Sequence, residues 1–129
     1  MGEYSAPVID HFSNPRNLGP LAGPDATAEV ANPCCGDRLR LDARVIAGRV
    51  AGCTFLAYGC APAIAVGSLL TEAVVGKAVG DLAGFDEARV AGLAGGLTPC
   101  QRHCAELGRN ALQALVENYR STHPEGGPT

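Results

Sequence analysis

Polar and apolar residues alternate from Arg38 to Val45, with Leu39, Leu41, Ala43 and Val45 set against Arg38, Arg40, Asp42 and Arg44. A period of two predicts a half-buried strand over Arg38–Ile46 with its apolar face inward. Ala47-Gly48 supplies a tight turn, and Arg49–Tyr58 returns as the second strand of a hairpin. Ala26–Ala31 adds a short edge strand.

Elsewhere the apolar spacing is helical. Residues 5–12 read SAPVIDHF, a Ser cap followed by Pro and a short apolar pattern, which predicts a short helix. Asn14-Pro15-Arg16-Asn17 and Gly19-Pro20 end it and start a loop to about Asp25. Gly59-Cys60-Ala61-Pro62 breaks the second hairpin strand; Pro62 then suits the start of a largely apolar helix closed by Gly76. Residues 77–96 predict one or two short helices, with Asp86 as a cap and Gly95-Gly96 as a stop. The last helix runs from about Gln101 to Arg120, and Cys104, Leu107, Ala111, Leu115 and Tyr119 share one face of it. The fold class is therefore α+β: a small antiparallel three-stranded sheet with helices packed on one face. Residues 1–129 form one domain, with about 121–129 a flexible tail.

Composition narrows the function. The chain carries 10 Lys and Arg against 13 Asp and Glu, a net charge of −3, and no basic cluster. Phosphate-backbone binding lacks its driving force, so nucleic acid is not an expected partner. The apolar stretch Cys53–Leu70 is interrupted by Gly59, Pro62, Gly67 and Ser68. Its length is also marginal for a span of roughly 20 residues, so no membrane is expected. Glu3 and Asp10 lie where a signal peptide needs a basic start and an apolar run, which leaves a cytoplasmic location as the expectation.

Six cysteines remain: Cys34, Cys35, Cys53, Cys60, Cys100 and Cys104. In a reducing compartment, thiols in turns point to metal ligation or reactivity more than to bridges. Cys35-Gly36-Asp37 leads into the first hairpin strand, Cys60 sits between strand and helix, and His103-Cys104 opens the last helix. A thiolate at a helix N-terminus feels the positive end of the dipole, which lowers its pKa. Three thiolates suit an iron–sulfur cluster, zinc or copper(I), and Asp37 or His103 can supply a further ligand. A lone thiol is more ordinarily a small buried hydrophobe. Cys53 and Cys34 fit that reading, and Cys100, four residues before Cys104, is open between the two. His11 is expected at a helix end or in solvent, and His123 in the tail.

These motifs resemble the IscU/NifU N-terminal family of iron–sulfur cluster assembly scaffolds, from Tyr4 to about Tyr119. The likeness rests on Tyr4-Ser5, Val8-Ile9-Asp10-His11-Phe12, Asn14-Pro15-Arg16-Asn17, Cys35-Gly36-Asp37, Tyr58-Gly59-Cys60, Ala63-Ile64-Ala65, Ser68-Leu69-Leu70-Thr71-Glu72 and His103-Cys104. It implies a SufE/NifU-like fold and a site of Cys35, Asp37, Cys60, His103 and Cys104. It also implies a carrier rather than an enzyme, building a transient [2Fe–2S] cluster from iron and sulfur delivered by a cysteine desulfurase. The cluster then passes to apo iron–sulfur acceptor proteins, and zinc occupies the cluster-free form.

Some features depart from the family pattern. Leu97-Thr98-Pro99-Cys100-Gln101 stands where the family carries Leu-Pro-Pro-Val-Lys, which speaks against recognition by an Hsp70-type chaperone. Ala61-Pro62 replaces the usual small residues after the second cysteine. The alternative within the superfamily is a SufU-type zinc-dependent sulfur acceptor, but such proteins typically carry an insertion before the third cysteine and lack the adjacent His. A structural zinc domain would predict a closed four-ligand site, which five candidate ligands do not match. Sulfur is expected to arrive on Cys104, with His103 shuttling its proton.

Overall fold

The computed structural model describes residues 4–32 and 36–123, with the side chain of Cys100 outside the description. Helix α1 covers Ala6–Ser13, strands β1, β2 and β3 cover Ala26–Ala31, Arg38–Ile46 and Arg49–Tyr58, and helices α2, α3 and α4 cover Ala61–Val74, Glu87–Leu93 and Arg102–Thr122. Short 3-10 turns at Val79–Gly84 and Pro99–Gln101 precede α3 and α4. The elements follow the expected order, and α4 continues past Arg120 to Thr122.

The sheet is antiparallel in the order β1-β2-β3. Ala47 and Gly48 both take positive φ, +53° and +76°, and join β2 to β3 in the primed turn that suits the twist of a hairpin. Arg44 faces Gly52 whereas Val45 faces Val50, so Ala51 is an extra residue in β3. That bulge lets Val50 and Cys53 both point into the core despite their odd spacing.

Leu39, Leu41, Ala43, Val50, Cys53 and Phe55 form the covered face of the sheet. Helices α2 and α4 lie across it, bringing Ala63, Val66, Leu70 and Val74 from one and Leu107, Ala111, Leu112, Leu115 and Val116 from the other. A smaller cluster of Val8, Ala65 and Ala94 seats α1 against α2. Ser5 caps α1 by accepting from the Val8 N–H at 3.2 Å, and its own hydroxyl donates to the Ala94 carbonyl beyond α3.

The opposite face of β2 is polar but partly covered by the loop leading to β1. Asp42 is 2% exposed and accepts from Thr27 Oγ1, the Leu21 N–H and Arg40 Nε. Burial alone would push its carboxyl up, but those hydrogen bonds together hold it below the ordinary value.

His11 departs from expectation. It does lie at the end of α1, but it is buried rather than in solvent, with Nδ1 2.7 Å from Ser68 Oγ on α2. The Arg16 N–H donates to the same oxygen, so helix and following loop are tied to one α2 side chain. His123 stacks on Tyr119 at 4.4 Å instead of trailing away, and residues 124–129 lie outside the described residues.

Candidate metal centre

Three chain segments meet at one end of the sheet. Gly36, with φ +76°, turns the chain just before Asp37, which leads into β2, and the Asn32 N–H donates to the Asp37 carbonyl at 2.8 Å. Cys60 is the N-cap of α2, and its carbonyl accepts from the Ala63 and Ile64 N–H groups at 3.0 and 3.2 Å. His103 and Cys104 lie in the first turn of α4. A reciprocal cap between Thr98 and Gln101 fixes the turn before it.

Asp37, Cys60, His103 and Cys104 present donor atoms all within 4.8 Å of one another. Cys60 Sγ lies 3.5 Å from Cys104 Sγ, 3.4 Å from Asp37 Oδ2 and 4.0 Å from His103 Nε2. His103 Nε2 is 3.3 Å from Asp37 Oδ2. Asp37 and Cys104 are buried, at 5% and 0% exposure, whereas Cys60 and His103 are half-buried at the rim. The Cys60 thiol is lowered to about 6, chiefly by its hydrogen bond with Cys104. The Ala63 N–H and His103 reinforce that shift, while burial and Asp37 oppose it. None of Cys53, Cys60 and Cys104 is in a disulfide. Two soft sulfurs, an imidazole and a hard carboxylate make a mixed donor set that suits iron or zinc.

Four of the five residues singled out in the sequence therefore converge, and Cys35 lies outside the described residues, as does Cys34. Cys53 is apart from the site, buried beneath the sheet, and burial pushes its thiol up to about 12. Cys100 falls in the Pro99–Gln101 turn. Sequence reasoning missed the part played by Gly59. Its φ is +146°, and a Cβ there would lie 2.1 Å from Asp37 Oδ1, so the carboxylate rests against bare backbone. A glycine directly before a candidate ligand was the available signal.

Residues 3–125 match the family described as NifU-like N terminal domain. The chain is 37% identical over 116 residues to Iron-sulfur cluster assembly scaffold protein IscU 1 of Archaeoglobus fulgidus, a match spanning 90% of this chain and 76% of that protein. It is also 37% identical over 122 residues to Iron-sulfur cluster assembly scaffold protein IscU of Haemophilus influenzae, covering 92% and 96% respectively. Among solved structures, a putative iron-sulfur cluster assembly scaffold protein for SUF system from Fervidobacterium islandicum AW-1 superposes with a TM-score of 0.74 at 17% identity. That match covers 89% of this chain and 97% of that one, and the likeness is one of fold.

Proposed function

The chain belongs to the NifU-like N-terminal domain family, and from that premise we propose that it is a scaffold on which iron–sulfur clusters are assembled and handed on. The single observation that carries this reading is the convergence of Asp37, Cys60, His103 and Cys104. The names borne by relatives at 37% identity support it.

The cargo is a [2Fe–2S] cluster, and its ligands are drawn from Cys35, Asp37, Cys60, His103 and Cys104. Thiolates bind iron firmly, whereas a carboxylate is a hard and poorly matched neighbour in a sulfur-rich site. Asp37 thus leaves one iron corner labile, which a carrier needs because it must also release what it builds. Zinc occupies the same donors in the cluster-free protein. The partners are a cysteine desulfurase as sulfur donor and apo iron–sulfur proteins as acceptors, and the protein is a carrier rather than an enzyme. We place it in the cytoplasm; among the described residues no helix is long and apolar enough to cross a membrane. The zinc-dependent sulfur-acceptor alternative gains no separate support, since the likeness to the SUF-system protein is of fold alone.

Anaerobic reconstitution with ferrous iron and a sulfide source, followed by visible absorption, tests the reading. The charge-transfer bands of a [2Fe–2S] cluster should appear in the wild type and be lost in Cys60→Ser. A wild type that acquires no such bands, or a Cys60→Ser protein that acquires them equally, would overturn it.

A further inference from the structure

The pair of sulfurs at the site has a use beyond holding metal. We infer that Cys60 and Cys104 form a sulfur-reducing dithiol: a sulfane sulfur accepted on Cys60 is released as sulfide when Cys104 attacks, leaving a Cys60–Cys104 disulfide. This rests on the scaffold reading for the source of the sulfur, a persulfide donor, and goes beyond it in assigning the electrons.

The two thiols differ in access and agree in position. Cys60 is half-buried at the rim, on the N-cap before α2, where an incoming persulfide can reach it. Cys104 is 0% exposed on the wall formed by α4, so an incoming persulfide meets Cys60 first. Entry at Cys60 differs from the expectation from sequence, which had sulfur arriving on Cys104. A helix-start position favours a thiolate, but the packing of α4 against α2 and the sheet closes that thiol to solvent.

Burial does not separate Cys104 from its neighbour. Its Sγ is 3.5 Å from Cys60 Sγ, which is sulfur–sulfur contact. A disulfide bond is about 2.05 Å long, so an approach of about 1.5 Å joins them.

The step balances without another reagent. The Cys104 thiolate attacks Cys60 Sγ, the inner sulfur of the persulfide, and forms the new S–S bond. The bond from Cys60 Sγ to the terminal sulfur breaks, and its electron pair leaves on that sulfur as hydrosulfide. The proton given up by Cys104 and the persulfide proton go with it as hydrogen sulfide. The terminal sulfur gains two electrons, and the two cysteine sulfurs together lose two. A thiol reductant then restores the pair for the next delivery. While Cys60 and Cys104 are bonded to each other, neither is available to iron, so sulfide release and cluster retention are separated by that reduction.

The test uses the full chain, treated with chelator and freed of thiols, then exposed anaerobically to cysteine persulfide. Sulfide is assayed colorimetrically, intact mass is recorded, and peptide mapping locates any disulfide. The wild type should yield one equivalent of sulfide, lose two hydrogens in mass and show a Cys60–Cys104 bond. Cys104→Ser should instead retain one added sulfur on Cys60 and yield only background sulfide.

A wild type that keeps the added sulfur, or that releases sulfide with both thiols intact, would overturn the inference. So would added sulfur found on Cys104 alone, because that places the entry point at the buried thiol. The wild-type measurements stand even where the variant folds poorly. Reconstitution with inorganic sulfide is scored separately: its failure counts against the scaffold reading, whereas failure of sulfide release counts against the dithiol.

Discussion

A Cβ atom on Gly59 would lie 2.1 Å from Asp37 Oδ1 and 2.6 Å from its Cγ, and the backbone there holds φ +146°. Substitution therefore brings strain and a clash at one position, and the side chain that must move is a proposed ligand. Gly59→Ala should cost about 1–3 kcal/mol of stability from the backbone conformation alone. By displacing Asp37 it should also weaken zinc binding by about 10–100-fold. Competition against a chromophoric chelator measures the second effect, and denaturant unfolding measures the first. Binding at wild-type strength would remove Gly59 from its role as the seat of Asp37. At this scale the sequence was informative about which side chains meet and poor about burial. Asp37, Cys60, His103 and Cys104 stand at turns and helix starts, where side-chain chemistry is visible in the local pattern. The burial of His11 at the helix end was missed because its hydrogen-bond partner, Ser68, is 57 positions away in the chain. The closing of Cys104 depends in the same way on packing between distant helices.

Helix α2 approaches the sheet closely because it carries a glycine where β3 carries its largest buried side chain, Phe55. A Cβ on Gly67 would sit 2.5 Å from Phe55 Cδ2 and 3.0 Å from Leu39 Cδ1, both in the core. Across the other contact, a Cβ on Gly108 of α4 would meet Val66 Cγ1 at 2.9 Å. These contacts set how near Cys60, at the head of α2, comes to Cys104, in the first turn of α4. Gly67→Ala adds a methyl to a filled interior and should destabilise by about 1–3 kcal/mol. Its helix propensity gain of about 1 kcal/mol works in the opposite direction. A net loss of stability together with weaker zinc binding is the expected outcome, read by thermal unfolding and chelator competition. A stabilised variant would mean that α2 can lift off the sheet without strain. Element order was legible because each boundary has a local cause: Ser5 and Asp86 cap helices by accepting from Val8 and Arg89 N–H groups. Gly95 and Gly96 take φ +74° and +92° and end α3. The Ala51 bulge and the 3-10 turn before α4 were not legible, because pairing across strands and docking of a helix start are tertiary outcomes.

Among the described residues there are two apolar clusters of unequal size, and the smaller one, around Val8, Ala65 and Ala94, holds α1. Beside it, His11 Nδ1 faces Ser68 Oγ at 2.7 Å, while Nε2 lies 3.7 Å from Glu72 Oε1. Arg16 and Asp10 complete the charged surroundings. The His11 imidazole is held below its ordinary value of 6.5, first by burial and then by the Arg16 cation, with Glu72 and Asp10 opposing. The sign of the linkage follows: the unfolded chain binds the proton more readily than the folded one. The stability tied to neutral His11 is fully present above pH 6.5 and is lost as pH falls through the folded value. Asp42 acts in a separate and lower window, because its depressed pKa matters only as pH falls below the ordinary 3.8. Urea midpoints measured from about pH 7.5 down to pH 5.5 should therefore fall in the wild type. His11→Gln should start lower, having lost a fitted ring, and should fall less over the same interval. Titrations elsewhere in the protein, Cys60 included, are common to both proteins and drop out of the difference. Amide exchange locates the effect: acidification should speed exchange in α1 before it does so in the middle of α4, because α1 is anchored by the smaller cluster. Parallel pH curves for the two proteins would show that His11 carries none of this dependence, and that α1 stays docked whatever its charge.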